Sequence, residues 1–171
     1  MFEIGDVIFY PMHGAGFIEA IEEKEILGEN KLYYVLKIPH MSVRIMIPKE
    51  KAASSGIRRV VDPDIMENAL ECFFQGTTDP DIYINNRYCI SINRNKIKSG
   101  DIYQGTEIIR DLIRKSKKIK LGTEDKNMLD NARQILVSEL IQVKGIDAEE
   151  AEIILDKVIQ GEETTLVSSE I

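Results

Sequence analysis

The sequence predicts an α+β protein in which a small N-terminal antiparallel β-barrel precedes an all-α bundle of about five helices. Two changes of pattern carry that reading. From Val7 to about Ile47, short β-branched and aromatic runs are separated by turn residues, as expected of consecutive strands. After Val61 the apolar residues recur every three to four positions instead, the period of an amphipathic helix. The composition is that of a chain that folds. It has 171 residues, 43% hydrophobic and 30% charged, with 11 glycines and 5 prolines, which excludes collagen-like, mucin-like and wholly disordered classes.

The first strand runs from Val7 to Tyr10 and stops at Pro11. Gly14-Ala-Gly16 marks a bend, where a positive φ or a close backbone approach favours glycine. Phe17 to Ile26 forms a long second run, and Gly28-Glu29-Asn30 offers a hairpin turn before Leu32 to Ile38. In Met41 to Ile47, Val43, Ile45 and Ile47 alternate with Ser42, Arg44 and Met46, which places the two sets on opposite faces. Pro48 closes that strand. Four or five short strands of this kind suit an SH3-like or Tudor-like barrel, an architecture that binds through an open face or edge strand more often than it catalyses.

In the second half, Asp62-Pro63 supplies an N-cap and first helical residue, and Ile65, Met66, Ala69, Leu70, Phe73 and Phe74 repeat until Gly76. A polar break from Thr77 to Asp81 precedes a less regular helix, from about Asn85 to Lys98, that ends at Ser99-Gly100. A third spans Asp101 to Lys118. Thr123 caps a fourth that reaches Lys144 and stops at Gly145. Asp147 with Glu150 resembles a capping box and starts a fifth that runs to Gln160. The expected division is therefore residues 1–60, residues 61–160 and a frayed tail at 161–171.

Several function classes lack their chemistry. No apolar run approaches the ~20 residues that cross a bilayer, and Met1 to Asp6 begins no signal peptide, so a cytoplasmic protein without membrane partners is expected. Cys72, Cys89, His13 and His40 fall at no metal-ligand spacing; neither metal nor cofactor is expected. His13-Gly-Ala-Gly16 has the look of an esterase oxyanion loop, but no Gly-x-Ser-x-Gly elbow accompanies it. Glu19 occupies the last position of a would-be Gly-x-Gly-x-x-Gly, and no Gly-Lys-Ser/Thr phosphate loop occurs. Glu22, Glu23 and Glu25 flank Lys24 with no histidine beside them, which makes a solvated rim and not an acid/base pair. No catalytic residues are assigned, and the protein is expected not to be an enzyme.

The formal charge is -7, and its distribution is uneven. Residues 94–120 hold nine bases (Arg94, Lys96, Lys98, Arg110, Arg114, Lys115, Lys117, Lys118 and Lys120) against three acids, whereas residues 121–171 hold four bases against twelve acids. On a helical wheel Arg110, Arg114, Lys117 and Lys118 share an arc of about 100°, away from Ile108, Ile109, Leu112 and Ile113. Such a face is either solvated and laced with pairs such as Glu107 with Arg110, or a surface that touches nucleic-acid phosphates without reading sequence.

The order of features then becomes recognisable. Phe2-Glu-Ile-Gly-Asp-Val-Ile-Phe-Tyr-Pro-Met-His-Gly-Ala-Gly16, Lys96-Ile-Lys-Ser-Gly-Asp101, Ile109-Arg-Asp-Leu112 and Met128-Leu-Asp-Asn-Ala-Arg-Gln-Ile-Leu136 resemble the CarD/CdnL family of bacterial transcription regulators over about residues 1–160. The resemblance implies a Tudor-like domain that binds the RNA polymerase β subunit and a helical domain that contacts promoter DNA at the upstream edge of the bubble; a monomer that stabilises the open complex is expected. It places the polymerase-binding edge on Lys24, Val43, Arg44, Ile45, Met46 and Ile47. Met46 stands where many relatives carry arginine, and Arg44 on the same face can compensate. Lys126 matches a basic position associated with DNA and joins Arg87, Arg110, Arg114, Lys117 and Lys118. The family also tends to carry a tryptophan wedge, and this chain has no tryptophan. Anchoring on Arg87-Tyr88 places the wedge at Ile84; counting back from Ser99-Gly100-Asp101 places it at Asn86. Tyr83, Ile84 and Tyr88 are the side chains available to replace it, with Tyr88 expected in the core. The alternative is a protein-binding adaptor, with a repair or translation partner, that makes no direct DNA contact.

Overall fold

The computed structural model describes the backbone of residues 1–169 and the side chains of residues 1–161. Five antiparallel strands, β1 (Val7–Tyr10), β2 (Gly14–Ile26), β3 (Glu29–Ile38), β4 (Val43–Pro48) and β5 (Arg58–Arg59), form one sheet in the order β4-β3-β2-β1-β5. Helices follow: α1 (Pro63–Glu71), α2 (Asp81–Ile84), α3 (Asn86–Ser99), α4 (Ile102–Lys118), α5 (Thr123–Lys144) and α6 (Ala148–Ser169). The α+β class and the change of pattern near residue 60 are as expected.

Several local expectations need correction. The β2–β3 turn is Leu27-Gly28, both at positive φ (55° and 79°), which is the geometry of a two-residue hairpin turn; Glu29 and Asn30 already belong to β3. Gly14 and Gly16 start β2 and do not form the preceding turn. They still do what glycine is needed for. Gly14 sits at φ 112°, and a Cβ on Gly16 would collide with the Lys37 carbonyl on the neighbouring strand. Within the expected polar break, Asp79 accepts the Asp81 backbone N–H (2.9 Å), and the unforeseen short helix α2 follows with Pro80 at its N-cap. Helix α5 takes Gly122 as its N-cap residue, so Thr123 is its first helical residue and not its cap. Helix α6 does not end at Gln160. Its backbone continues to Ser169, because a lone Gly161 costs a helix only about 1 kcal/mol and no proline follows; the last two residues of the expected frayed tail lie outside the described residues.

Two cores divide the buried side chains, and strand periodicity assigns β1 to both. Ile8 joins Ile18, Tyr34, Leu36, Ile38 and Ile47 within the sheet. Its neighbour Phe9 points the other way and packs, with Ala15, among Met66, Phe73, Ile108, Leu112, Leu136 and Leu140 of the helices. The bundle's core is therefore shared with the sheet, through Phe9 and Ala15, across the junction near residue 60.

Polar groups reinforce that junction. The Arg58 guanidinium donates to both Glu139 carboxylate oxygens (2.7 and 3.1 Å) and to the Gly100 carbonyl (3.0 Å), and lies 4.1 Å from the Phe9 ring centroid. Glu139, only 1% exposed, also accepts the Val61 backbone N–H at 3.0 Å. One residue earlier on α5, the Ser138 hydroxyl accepts the Ala15 N–H (2.9 Å) and donates to the Ile135 carbonyl (2.6 Å). A buried carboxylate is tolerated only when charge and hydrogen bonds compensate its lost hydration, and here both compensations come from across the junction.

Candidate functional site

Two surfaces collect the residues singled out by the sequence. The first is the β4 side of the sheet. Strand β4 pairs with β3 alone, so its other side carries the unpaired backbone groups of an edge strand. Val43, Arg44 and Met46 are exposed, Ile45 is half-buried and Ile47 joins the sheet core. Arg44 Nη2 lies 2.7 Å from Glu19 Oε2; its hydrogen bond and charge hold the Glu19 carboxyl below the usual carboxylate range. Lys24 stands apart. It faces Lys31 in the β2–β3 ribbon, whereas Arg44 faces Lys37, and six residues of strand amount to roughly 20 Å. The predicted edge therefore spreads over a strand and a projecting ribbon.

The second surface is the corner where α2 runs into α3, close to the end of α4 and the start of α5. Asp79 accepts the Tyr88 hydroxyl at 2.8 Å as well as the Asp81 N–H. Those two bonds, the backbone one first, hold its carboxyl below the usual range, and the same contact pushes the Tyr88 phenol up. Asn85 caps α3 by accepting the Tyr88 N–H (3.0 Å). Lys118 places its ammonium 4.6 Å from the Tyr83 ring centroid, within cation–π range. Among these fixed side chains Ile84 is 83% exposed. Asn86 is engaged, accepting from Lys115 Nζ at 3.0 Å, and Tyr88 is half-buried against the helical core as expected.

The basic face of α4 is smaller than the helical wheel predicts. Arg87, Lys117, Lys118 and Lys126 are exposed, but Arg110 is 7% exposed and bonds Asp111 Oδ1 (2.8 Å), the Gln75 carbonyl (2.7 Å) and the Thr77 carbonyl (3.4 Å). Arg114 donates to the carbonyls of Phe74 (2.8 Å) and Gly76 (3.1 Å) and to Thr78 Oγ1 (3.1 Å). The reason is the early end of α1 at Glu71. The chain from Phe74 to Thr78 then leaves carbonyls without helical partners, it lies over the first half of the basic face, and the two guanidiniums satisfy it. The expected Glu107–Arg110 pairing is replaced by Glu107 with Lys96 at 2.8 Å.

Sequence reasoning passed over the buried polar residues. Lys115, counted in the basic island, is 1% exposed and lies 2.7 Å from Asp125 Oδ2. For Glu139 a signal was present: Ser138-Glu139 interrupts the apolar run from Ile135 to Ile141, and a charge inside such a run requires a partner. Among the described residues no group of His, Cys, Asp and Glu could hold a metal ion, and no helix is long and apolar enough to cross a membrane.

Residues 2–61 match the family described as the CarD-like/TRCF RID domain, and residues 68–156 match the CarD C-terminal domain. The chain is 47% identical over 146 residues to the putative transcription factor YdeB of Bacillus subtilis (strain 168), an alignment that covers 85% of this chain and 94% of that protein. The solution NMR structure of the 72-residue N-terminal domain of Myxococcus xanthus CarD is similar at 25% identity with a TM-score of 0.31, over 34% of this chain and 79% of that one.

Proposed function

Because the chain belongs to the CarD family, whose members are non-enzymatic transcription factors, we propose that it regulates transcription by bridging RNA polymerase and promoter DNA. In this reading residues 1–60 dock the β4 edge on the polymerase β subunit, and residues 61–160 bring the α2–α3 corner to the upstream edge of the bubble. The observation that carries the DNA half is Ile84, an aliphatic side chain 83% exposed on a corner otherwise tied down by hydrogen bonds. An apolar side chain in that position can insert against a base step that has begun to unstack. Exposed Arg87, Lys118 and Lys126 supply phosphate contacts that position without specifying sequence. With so few of them, DNA binding by the protein alone is weak, and polymerase tethering raises its effective concentration at the promoter.

The polymerase half is supported by the free side of β4, where a partner strand can add to the sheet. Charge-reversal variants Arg44→Glu and Lys24→Glu, each checked for native folding, are expected to weaken capture of a recombinant β-subunit fragment by about tenfold each, as rim charges do when steering is reversed. Undiminished capture by both would place the interface elsewhere. The adaptor reading without DNA contact draws on one observation, the withdrawal of Arg110, Arg114 and Lys115 into internal bonds. It predicts full activity from a variant in which Lys117, Lys118 and Lys126 are alanine, whereas the bridging reading predicts a loss.

A further inference from the structure

Beneath the α2–α3 corner lies a charged pair that the two docking surfaces do not use. Lys115 on α4 is 1% exposed. Its ammonium lies 2.7 Å from Asp125 Oδ2 in the first turn of α5 and 3.0 Å from Asn86 Oδ1 in the first turn of α3. Asp125 is itself buried, and its other oxygen faces the Cys89 thiol of α3 at 3.9 Å, which in turn accepts from Asn93 Nδ2 at 3.6 Å. Three helix ends therefore meet on one ammonium. Burial, followed by the Asp125 charge, pushes the Cys89 thiol up, so the cluster is not a nucleophile site.

A buried ion pair of this kind is poor evidence for stability, because apolar residues of similar volume commonly hold a fold as well or better. What it does supply is direction. A lysine ammonium offers three donors, and two of them here define where Asn86 and Asp125 must lie relative to α4. Asn86 is exposed and sits two residues after Ile84 and one before Arg87. Anchoring it sets the orientation of both neighbours.

We propose that Lys115 and Asp125 are positioning residues which, through Asn86, hold the corner carrying Ile84 and Arg87 in the orientation that meets the bubble edge. The proposal rests on the DNA-facing reading above for its consequence, but not for its structural content. A pre-set corner matters because a side chain that must insert between bases loses affinity when it first has to be ordered.

Lys115→Met would strand a buried carboxylate and could unfold the chain, so the informative variant is Asn86→Ala, which cuts the tether at an exposed position and leaves the ion pair intact. The full-length variant is compared with the native protein by amide hydrogen exchange, thermal melting, β-fragment capture and open-complex lifetime on one defined promoter. Capture is expected to be unchanged, and the melting temperature to fall by only a few degrees. The amides of Tyr88 and Cys89 are expected to exchange about tenfold faster, as in a local opening, and the lifetime added by the protein is expected to shorten. Asn86→Asp, which keeps an acceptor for the ammonium, should restore slow exchange. Native exchange in Asn86→Ala would overturn the proposal, as would faster exchange with an undiminished lifetime. If the native protein itself adds no lifetime, the DNA-facing reading fails, and the exchange comparison alone decides whether the pair holds the corner.

Discussion

Gly105 lies inside α4, where a glycine costs a helix about 1 kcal/mol relative to alanine. A Cβ added there meets nothing within 4 Å, and the position borders a small apolar cavity lined by Ile97, Ile108, Ala132 and Leu136. Gly105→Ala is therefore expected to raise the melting temperature by roughly 2–4 °C for a chain of this size. A lower melting temperature would show that the cavity or the flanking packing needs the glycine. At this scale the sequence misleads most about long charged side chains. Arg110, Lys115 and Lys118 occur within nine residues of one helix, and only Lys115 falls on the apolar side of the wheel, beside Ile108; one satisfies loop carbonyls, one pairs a buried aspartate and one lies over Tyr83. The deciding partners come from residues 75–77, 125 and 83, which no local periodicity brings into view.

Among the elements, the one that binds the halves together is α5, through Ser138 and Glu139. Arg58→Ala would leave Glu139 buried with only the Val61 N–H as partner, and stranding one member of a buried pair costs about 3–5 kcal/mol. The melting temperature of that variant is expected to fall by roughly 10 °C. A fall of only a degree or two would mean that the Arg58–Glu139 contact contributes little to holding the halves together. Most elements were legible because each has one apolar face and a clear stop: the spans of β1, α4 and α5 follow their periodicity, and Gly100 and Gly145 end α3 and α5 at positive φ. The misplaced elements depend on contacts instead. Helix α2 follows a turn in which Asp79 accepts the Asp81 N–H, α1 stops short where Arg110 and Arg114 take up the following carbonyls, and the β2–β3 turn puts a leucine at a φ that glycine or asparagine adopts more readily. The edge position of β4, which the resemblance pointed to, is a matter of strand order that alternation alone does not encode.

For the molecule as a whole, the shared core and the Arg58–Glu139 latch mean that a partner holding β4 also sets the orientation of α2 and α3. A protein tethered in this way shifts the closed-to-open promoter equilibrium only to the extent that its corner binds the open bubble edge better than closed duplex; equal binding to both states shifts nothing. In the proposed reading Ile84 is the side chain that makes that difference, and it offers less stacking surface than an indole. The direct measurement is open-complex lifetime on a defined promoter, with and without the protein, comparing the native chain with Ile84→Ala and Ile84→Trp. The account predicts that the native protein lengthens the lifetime, that Ile84→Ala loses most of the gain and that Ile84→Trp extends it. A native protein that leaves the lifetime unchanged, or an Ile84→Ala variant that lengthens it as much as the native chain, would contradict the account.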